Sequence, residues 1–384
     1  MLHNLNFDKN DPNYIMLDKI FKIIGSRKSK QIFSSNGFKN LKKLDTVIKT
    51  QFISMFFDLP LDFVVKNLKN KEELRKYFKI NQVLEAQEIY DYFQKNSVKN
   101  YANAVNSALK AFGNYERRGK RTFIVDATPI DLDFNFNRKK QSKEKLAKMD
   151  LKWSYSSSKG FYIGFKATFV LDYDSMTPVA ILFHSGAPND AKLFEEIMKE
   201  LHRRRIIRKQ DTLIFDKGYY SLTNYQIGIS KYQIVPLIFP KKFLNIKHLD
   251  DILSYSLNIF KNKKDLNKNK RLFKRLKKEL ISKLMNWKHY KPIRGKIEDY
   301  FKVLKNSLEM RKIHKFTPKS VEKTLYLYVL LGTILIQNSD TSKTGLQKLS
   351  QMWKIQAPKA FIQIYNLYII RYYLKAFLKL TKKV

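Results

Sequence analysis

Thr122–Asp126 reads TFIVD, and ninety residues further on Thr212–Asp216 reads TLIFD. Each is a short β-branched, aliphatic and aromatic run closed by an aspartate, the pattern of a buried strand. Two more strands follow the first run, at Phe161 to Leu171 and Pro178 to Phe183, with Asp172, Tyr173, Asp174 and Ser175 as the turn between them. Asp190 caps a helix to about Arg205, with Glu195 and Glu196 in its early turns. After TLIFD, Ser221 starts a second helix and Gln233 to Ile238 forms a fifth strand. The order is β-β-β-α-β-α-β.

Three meandering strands followed by alternating helix and strand is the order of a ribonuclease H-like fold. The expectation is an α/β core with a mixed five-stranded sheet and flanking helices. In that topology the first and fourth strands lie side by side, so the carboxylates of Asp126 and Asp216 meet at one edge of the sheet. A lone aspartate at a strand end is usually a turn former. Two at adjacent ends, in a chain of net charge +41, point to chemistry. Unopposed, they would repel and raise each other's pKa, a penalty that a divalent ion removes.

A third carboxylate comes from a helix expected to begin near Pro292, a residue suited to a first helical turn. Arg294, Glu298 and Lys305 stand at i, i+4 and i+11, which places them on one face. Ile297, Phe301, Leu304 and Leu308 form the buried stripe beside it. Two readings of Glu298 are open: a rung in a salt-bridge ladder, or a metal ligand flanked by phosphate contacts.

Composition narrows the rest. Lys and Arg number 75 against 34 Asp and Glu. So cationic a chain repels itself unless a polyanion is near, and nucleic acid would release counterions on binding. An acidic membrane surface and an AT-rich coding bias are the competing readings. There is no cysteine, and the six histidines are scattered. Thiolate metal sites are excluded and a histidine zinc site has no support. The 12 glycines form no phosphate loop or dinucleotide fingerprint. Any metal ligands must be oxygens, which favours Mg²⁺ or Mn²⁺. The N-terminus, MLHNLNFDKNDPNY, is polar and unlike a secretory leader. The apolar run Leu325 to Ile336 is too short to span a bilayer.

Three regions follow. Residues 1–118 read as helical, through Leu44, Val47, Ile48, Phe52 and Met55 and again through Leu84, Ile89, Tyr92 and Phe93, with a boundary at Arg117–Lys120. They suit a DNA-binding domain, or an ordinary helical one. Residues 119–336 hold the α/β core. It carries a basic loop from Arg138 to Lys159 and a basic insertion at about 240–288. Within the insertion, Lys261 to Lys278 could follow a phosphate backbone or be a solvated helix face. Residues 337–384 read as C-terminal helix. The aromatic stripe Tyr365, Tyr368, Tyr372, Tyr373 and Phe377 is core or a subunit contact.

These motifs together give the sequence a specific resemblance. YKPIRGKIEDYFKVLK, FIVDATPI and IFDKGYYS are similar to the signature and aspartate boxes of DDE-superfamily insertion-sequence transposases carrying a Tyr-Arg-Glu-Lys motif. The stretch from Lys159 to Ile197 also resembles the family's strand-strand-helix segment, and the likeness covers roughly residues 119–336. The family spacing is Tyr, two residues, Arg, three residues, Glu, six residues, Lys. Arg294, Glu298 and Lys305 fit it, whereas three residues separate Tyr290 from Arg294.

The resemblance implies a DNA transposase that cleaves element ends and transfers strands to target DNA. It implies two Mg²⁺ or Mn²⁺ ions on Asp126, Asp216 and Glu298, with Arg294 and Lys305 on phosphates. Trp287 and Tyr290 are candidates to hold a flipped base. Partners would be terminal inverted repeats, target DNA and a second copy of the chain in a homodimer, in the cytoplasm at a prokaryotic nucleoid, with no membrane. A ribonuclease H-like nuclease without strand transfer, or a non-catalytic nucleic-acid-binding descendant, are the rivals.

Overall fold

The structure, a computed structural model, describes residues 5, 7–112, 119–132, 151–156, 160–241, 244–256, 263–308, 310, 317–339, 345, 346, 348 and 349. The C-terminal aromatic stripe, most of the Arg138–Lys159 loop and residues 257–262 of the basic insertion lie outside them.

Among the described residues seven helices come first: α1 (Pro12–Ile24), α2 (Arg27–Ser35), α3 (Leu41–Phe56), α4 (Leu61–Asn70), α5 (Glu72–Phe78), α6 (Ala86–Lys95) and α7 (Val98–Phe112). Their starts are written in the sequence. The side chains of Asp11, Ser26 and Asn40 accept from the first-turn amides of α1, α2 and α3.

The sheet follows: β1 (Thr122–Asp131), β2 (Trp153–Ser156), β3 (Gly160–Asp172), β4 (Pro178–Ser185), β5 (Thr212–Phe215) and β6 (Val235–Ile238). Helix α8 (Asp190–Arg203) lies between β4 and β5, and α9 (Leu222–Ser230) between β5 and β6. Strand β3 pairs antiparallel with β1, β2 and β4, while β1, β5 and β6 run parallel. The five expected strands, in the order β4-β3-β1-β5-β6, make a mixed sheet compatible with a ribonuclease H-like core. The sixth, β2, arises inside the basic loop; its four residues need the partner residues 160–163 to become a strand. Asn189, not Asp190, caps α8, its side chain accepting from the Ala191 amide.

The chain then forms α10 (Ile246–Ser256), α11 (Lys263–Met285), α12 (Trp287–Lys302) and α13 (Pro318–Gln337). Helix α12 begins five residues earlier than expected, so Pro292 lies inside it and the Lys288 carbonyl loses its helical N–H partner. Beyond Lys302 the winding widens to one π-type turn, Val303–Ser307.

Two large cores hold these layers. On one face of the sheet, Ile124, Ile130, Phe165, Ala167 and Phe169 pack with α12, α13 and the N-terminal helices. Phe123, Val125 and Val170 on the other face join α8, α9, α11, β5 and β6. Strands β5 and β6 are buried throughout, as parallel strands covered on both faces should be. The N-terminal helices are tied in by polar contacts too. Lys323 Nζ donates to Phe93 O at 2.9 Å, and Arg204 Nη1 to Asn106 Oδ1 at 2.9 Å.

Candidate active site

The parallel ladder between β1 and β5 ends with Val125 opposite Phe215. Asp126 and Asp216 are the next residue on each strand. Side chains alternate along a strand, so both aspartates face the side of Ile124 and Ile214, under α12. Adjacent strands are about 4.8 Å apart, which makes the two aspartates neighbours. Asp126 does not end its strand. Strand β1 runs on to Asp131 because β3 still pairs with it, whereas β5 stops and Asp216 enters a tight turn, Tyr219 N donating to Asp216 O at 3.1 Å.

Helix α12 crosses above this edge. Arg294 Nη2 donates to Asp126 Oδ2 at 2.7 Å and Nη1 to Glu298 Oε1 at 2.6 Å, so one guanidinium joins the two acids. Lys305, on the π-type turn, donates to Thr128 Oγ1, two residues along β1 from Asp126 and on the same face. The expected face of Arg294, Glu298 and Lys305 therefore lies over β1. Single π turns inside helices recur at functional sites.

Asp126 is 14 % exposed. Burial raises its carboxyl pKa to about 6; the Arg294 charge and the Ala127 amide oppose the rise, and the Asp216 charge adds to it. Arg294 is pushed down by its own burial, but the charges of Asp126, Asp216 and Glu298 outweigh this and raise it. The three carboxylates thus act on one guanidinium.

Among the described residues, no three acidic or histidine side chains stand close enough together to hold a metal ion. The donor set itself is all oxygen, the chemistry of a hard divalent cation. The buried aspartate, repelled by its neighbour, gains from any cation. In this arrangement Arg294 supplies that charge to Asp126 and Glu298. By chemistry, the carboxylate oxygens of Asp126, Asp216 and Glu298 suit a divalent ion.

Trp287 and Tyr290 are placed differently. Both are half-buried against the second core, Trp287 with Phe239 at 5.6 Å between centroids and Tyr290 with the Lys283 ammonium 5.9 Å from its ring centre.

Behind the sheet, the start of α8 clamps the turn that carries Asp216. Asn224 Nδ2 donates to Ala191 O and Tyr219 O, both at 2.9 Å. The Asp190 carboxylate, 2.6 Å from Lys166 Nζ, lies so close to Gly218 that a Cβ there would meet it at 2.9 Å. Tyr219 is wholly buried; burial, then the charges of Asp190 and Asp126, hold its phenol well above the usual range. Sequence reasoning gave Asp190 only a capping role. The signal that it does more is its contact with Gly218, which requires the fold.

The sheet order, with Asp126 and Asp216 on neighbouring parallel strands and Glu298 on α12, is compatible with a ribonuclease H-like core. The transposase DDE domain family matches residues 117–333, more than half of the chain. The chain belongs to that family. No curated protein matches it. Among the described residues, no helix is long and apolar enough to cross a membrane.

Proposed function

We propose that the chain is a DNA transposase that hydrolyses a phosphodiester at each element end and joins the freed 3′-hydroxyl to target DNA. The observation that carries this reading is the placement of Asp126 and Asp216 side by side where the β1–β5 ladder ends, with Arg294 joining Asp126 to Glu298. Asp126, Asp216 and Glu298 would hold two Mg²⁺ or Mn²⁺ ions. Bound there, divalent ions supply Lewis acidity and lower the pKa of water.

The chain's own residues do the rest. Arg294 exchanges its carboxylate partners for phosphate oxygens, which its planar fork also fits. Lys305 leaves Thr128 for a neighbouring phosphate, and the two cations offset charge as it develops. The α8 clamp keeps Asp216 aimed at the edge while α12 shifts. Trp287 and Tyr290 are assigned to a base extruded near the cut. Residues 1–118 are assigned to DNA binding, residues 119–336 to catalysis and residues 337–384 to a homodimer contact, at the prokaryotic nucleoid.

The test uses the full chain, Mg²⁺ or Mn²⁺, and duplexes bearing the inverted repeats that flank the coding region. Cleavage, and joining of precut ends to a plasmid, are the expected products. Cleavage without joining would leave a nuclease. Cleavage at the unmodified rate after Asp126→Ala, Asp216→Ala or Glu298→Ala would remove that residue from the site.

A further inference from the structure

Helix α11 closes the basic insertion, and its sequence allows two roles, a solvated face or a phosphate contact. Among its described side chains, Lys270 to Met285, two faces differ. Phe273, Leu276, Leu280 and Leu284 are buried in the core shared with β5 and β6. Lys270, Arg271, Lys274, Arg275 and Lys278 are exposed. At about 100° per residue these five cations span an arc of about 140°, opposite the buried row.

The acids near the helix are taken by other cations. Asp250 on α10 holds Lys277 at 2.9 Å. Glu279 holds Lys120, just ahead of β1, at 2.8 Å and Lys283 at 3.0 Å. Lys283 Nζ also donates to Thr212 Oγ1 at 2.7 Å, at the end of β5 opposite Asp216. These contacts fasten α11 to the fold along its flanks. Among the described residues, none of the five outward cations has an acidic partner. Like charges four positions apart, Lys270 with Lys274, Lys274 with Lys278 and Arg271 with Arg275, destabilise a helix. No acid on this face offsets that repulsion.

A polyanion would remove it. From Lys270 to Lys278 is eight residues, about 12 Å of helix, and the same length of duplex carries about seven phosphates. A lipid surface would need apolar side chains beside the cations, and of those on α11 Met285 alone is exposed among the described residues. An unpaired strand would need rings to stack on, and the one aromatic among these side chains, Phe273, is buried. We infer that the outward face of α11 is a docking surface for the phosphates of duplex DNA, independent of base sequence. This rests on the DNA-cleaving reading above and adds to it a grip on the duplex apart from the acidic edge.

The experiment titrates a fluorescent duplex of arbitrary sequence with the full-length, metal-free chain at several salt concentrations. The triple variant Lys270→Gln, Lys274→Gln, Lys278→Gln should bind at least about tenfold more weakly at low salt, and its slope of log affinity against log salt should shrink by about 3. Its melting temperature should match the parent's, since all three side chains are exposed. The matched variant Lys199→Gln, Arg208→Gln, Lys209→Gln removes the same charge from exposed positions on and after α8 and should bind within about twofold of the parent. Lys270→Arg, Lys274→Arg, Lys278→Arg should bind as the parent does. An α11 glutamine variant with the parent's affinity and slope overturns the inference. Equal losses in both glutamine variants also overturn it, since total charge would then be the cause. So does an α11 variant that keeps the duplex but loses phosphatidylserine vesicles, which would assign the face to a membrane. A parent that binds duplex through α11 yet cleaves no inverted repeat would sink the DNA-cleaving reading and leave this docking surface standing.

Discussion

Two arginine–aspartate pairs sit at opposite ends of the same two strands. At the amino end, Asp211 accepts from Arg121 Nη2 at 2.5 Å, from Arg121 Nε at 3.3 Å, and from the amides of Arg121 and Arg208. Both side chains are buried, at 5 % and 1 % exposed, and the Arg121 guanidinium lies 5.1 Å from the Phe123 ring centre. At the carboxyl end, Arg294 divides its fork between Asp126 and Glu298 and is 21 % exposed. Asp211 receives its donors from segments locked in one place, whereas Asp126 depends on a donor from a helix above it. The first pair joins two strand starts. The second, in the function proposed above, changes partners.

The difference can be attacked from either end. The largest expected effect is at the carboxyl end. Asp126→Asn should lower strand cleavage by more than about a thousandfold, while the metal-free variant melts no lower than the parent. Equal cleavage rates would make Asp126 a structural acid like Asp211. Next, Asp211→Ala leaves a buried guanidinium without its partner and should cost about 3–5 kcal/mol in urea unfolding. A loss below about 1 kcal/mol would show that the amino-end pair is no scaffold.

The third expectation concerns pH. With its folded pKa raised from 3.8 to about 6, Asp126 binds its proton more tightly when folded. Its contribution to metal-free stability is full below pH 4 and is lost as pH rises through about 6. Divalent ions need the ionised form, so apparent Mn²⁺ affinity should fall up to about tenfold per pH unit below 6. A flat titration between pH 5 and 8 would place the ion elsewhere. The smallest effect belongs to Glu298, which is half exposed. Glu298→Gln should change stability by less than about 1 kcal/mol while still impairing cleavage. A large stability loss would mean that the ladder reading of Glu298 was the correct one.

Much of this was legible in the sequence because it is local. TFIVD and TLIFD announce strands and place an acid next to each, and helical spacing sets Arg294 and Glu298 on one face of α12, though only the fold brings that face over β1. What escaped depends on distant partners. Arg121 and Asp211 lie ninety positions apart with no motif to link them. Strand β2 is four residues long and exists through β3. Pro292 suggests a helix start, yet tertiary packing carries α12 back to Trp287. The persistence of β1 past Asp126 is decided by β3, which no reading of β1 alone can supply.

The π-type turn at Val303–Ser307 has a mechanical consequence. As the last turn of the rod, it changes the rotational phase of the residues it holds, so one rod satisfies two unrelated fits. Ahead of it, Arg294 and Glu298 are phased to the acidic edge. Within it Leu304, and at its end Leu308, face α13, where Leu304 fills the space at Gly332 so fully that a Cβ would meet it at 2.3 Å. Loss of a single residue from that turn would force the rod to choose between the two, much as a gear with a missing tooth meshes at one shaft and slips at the other.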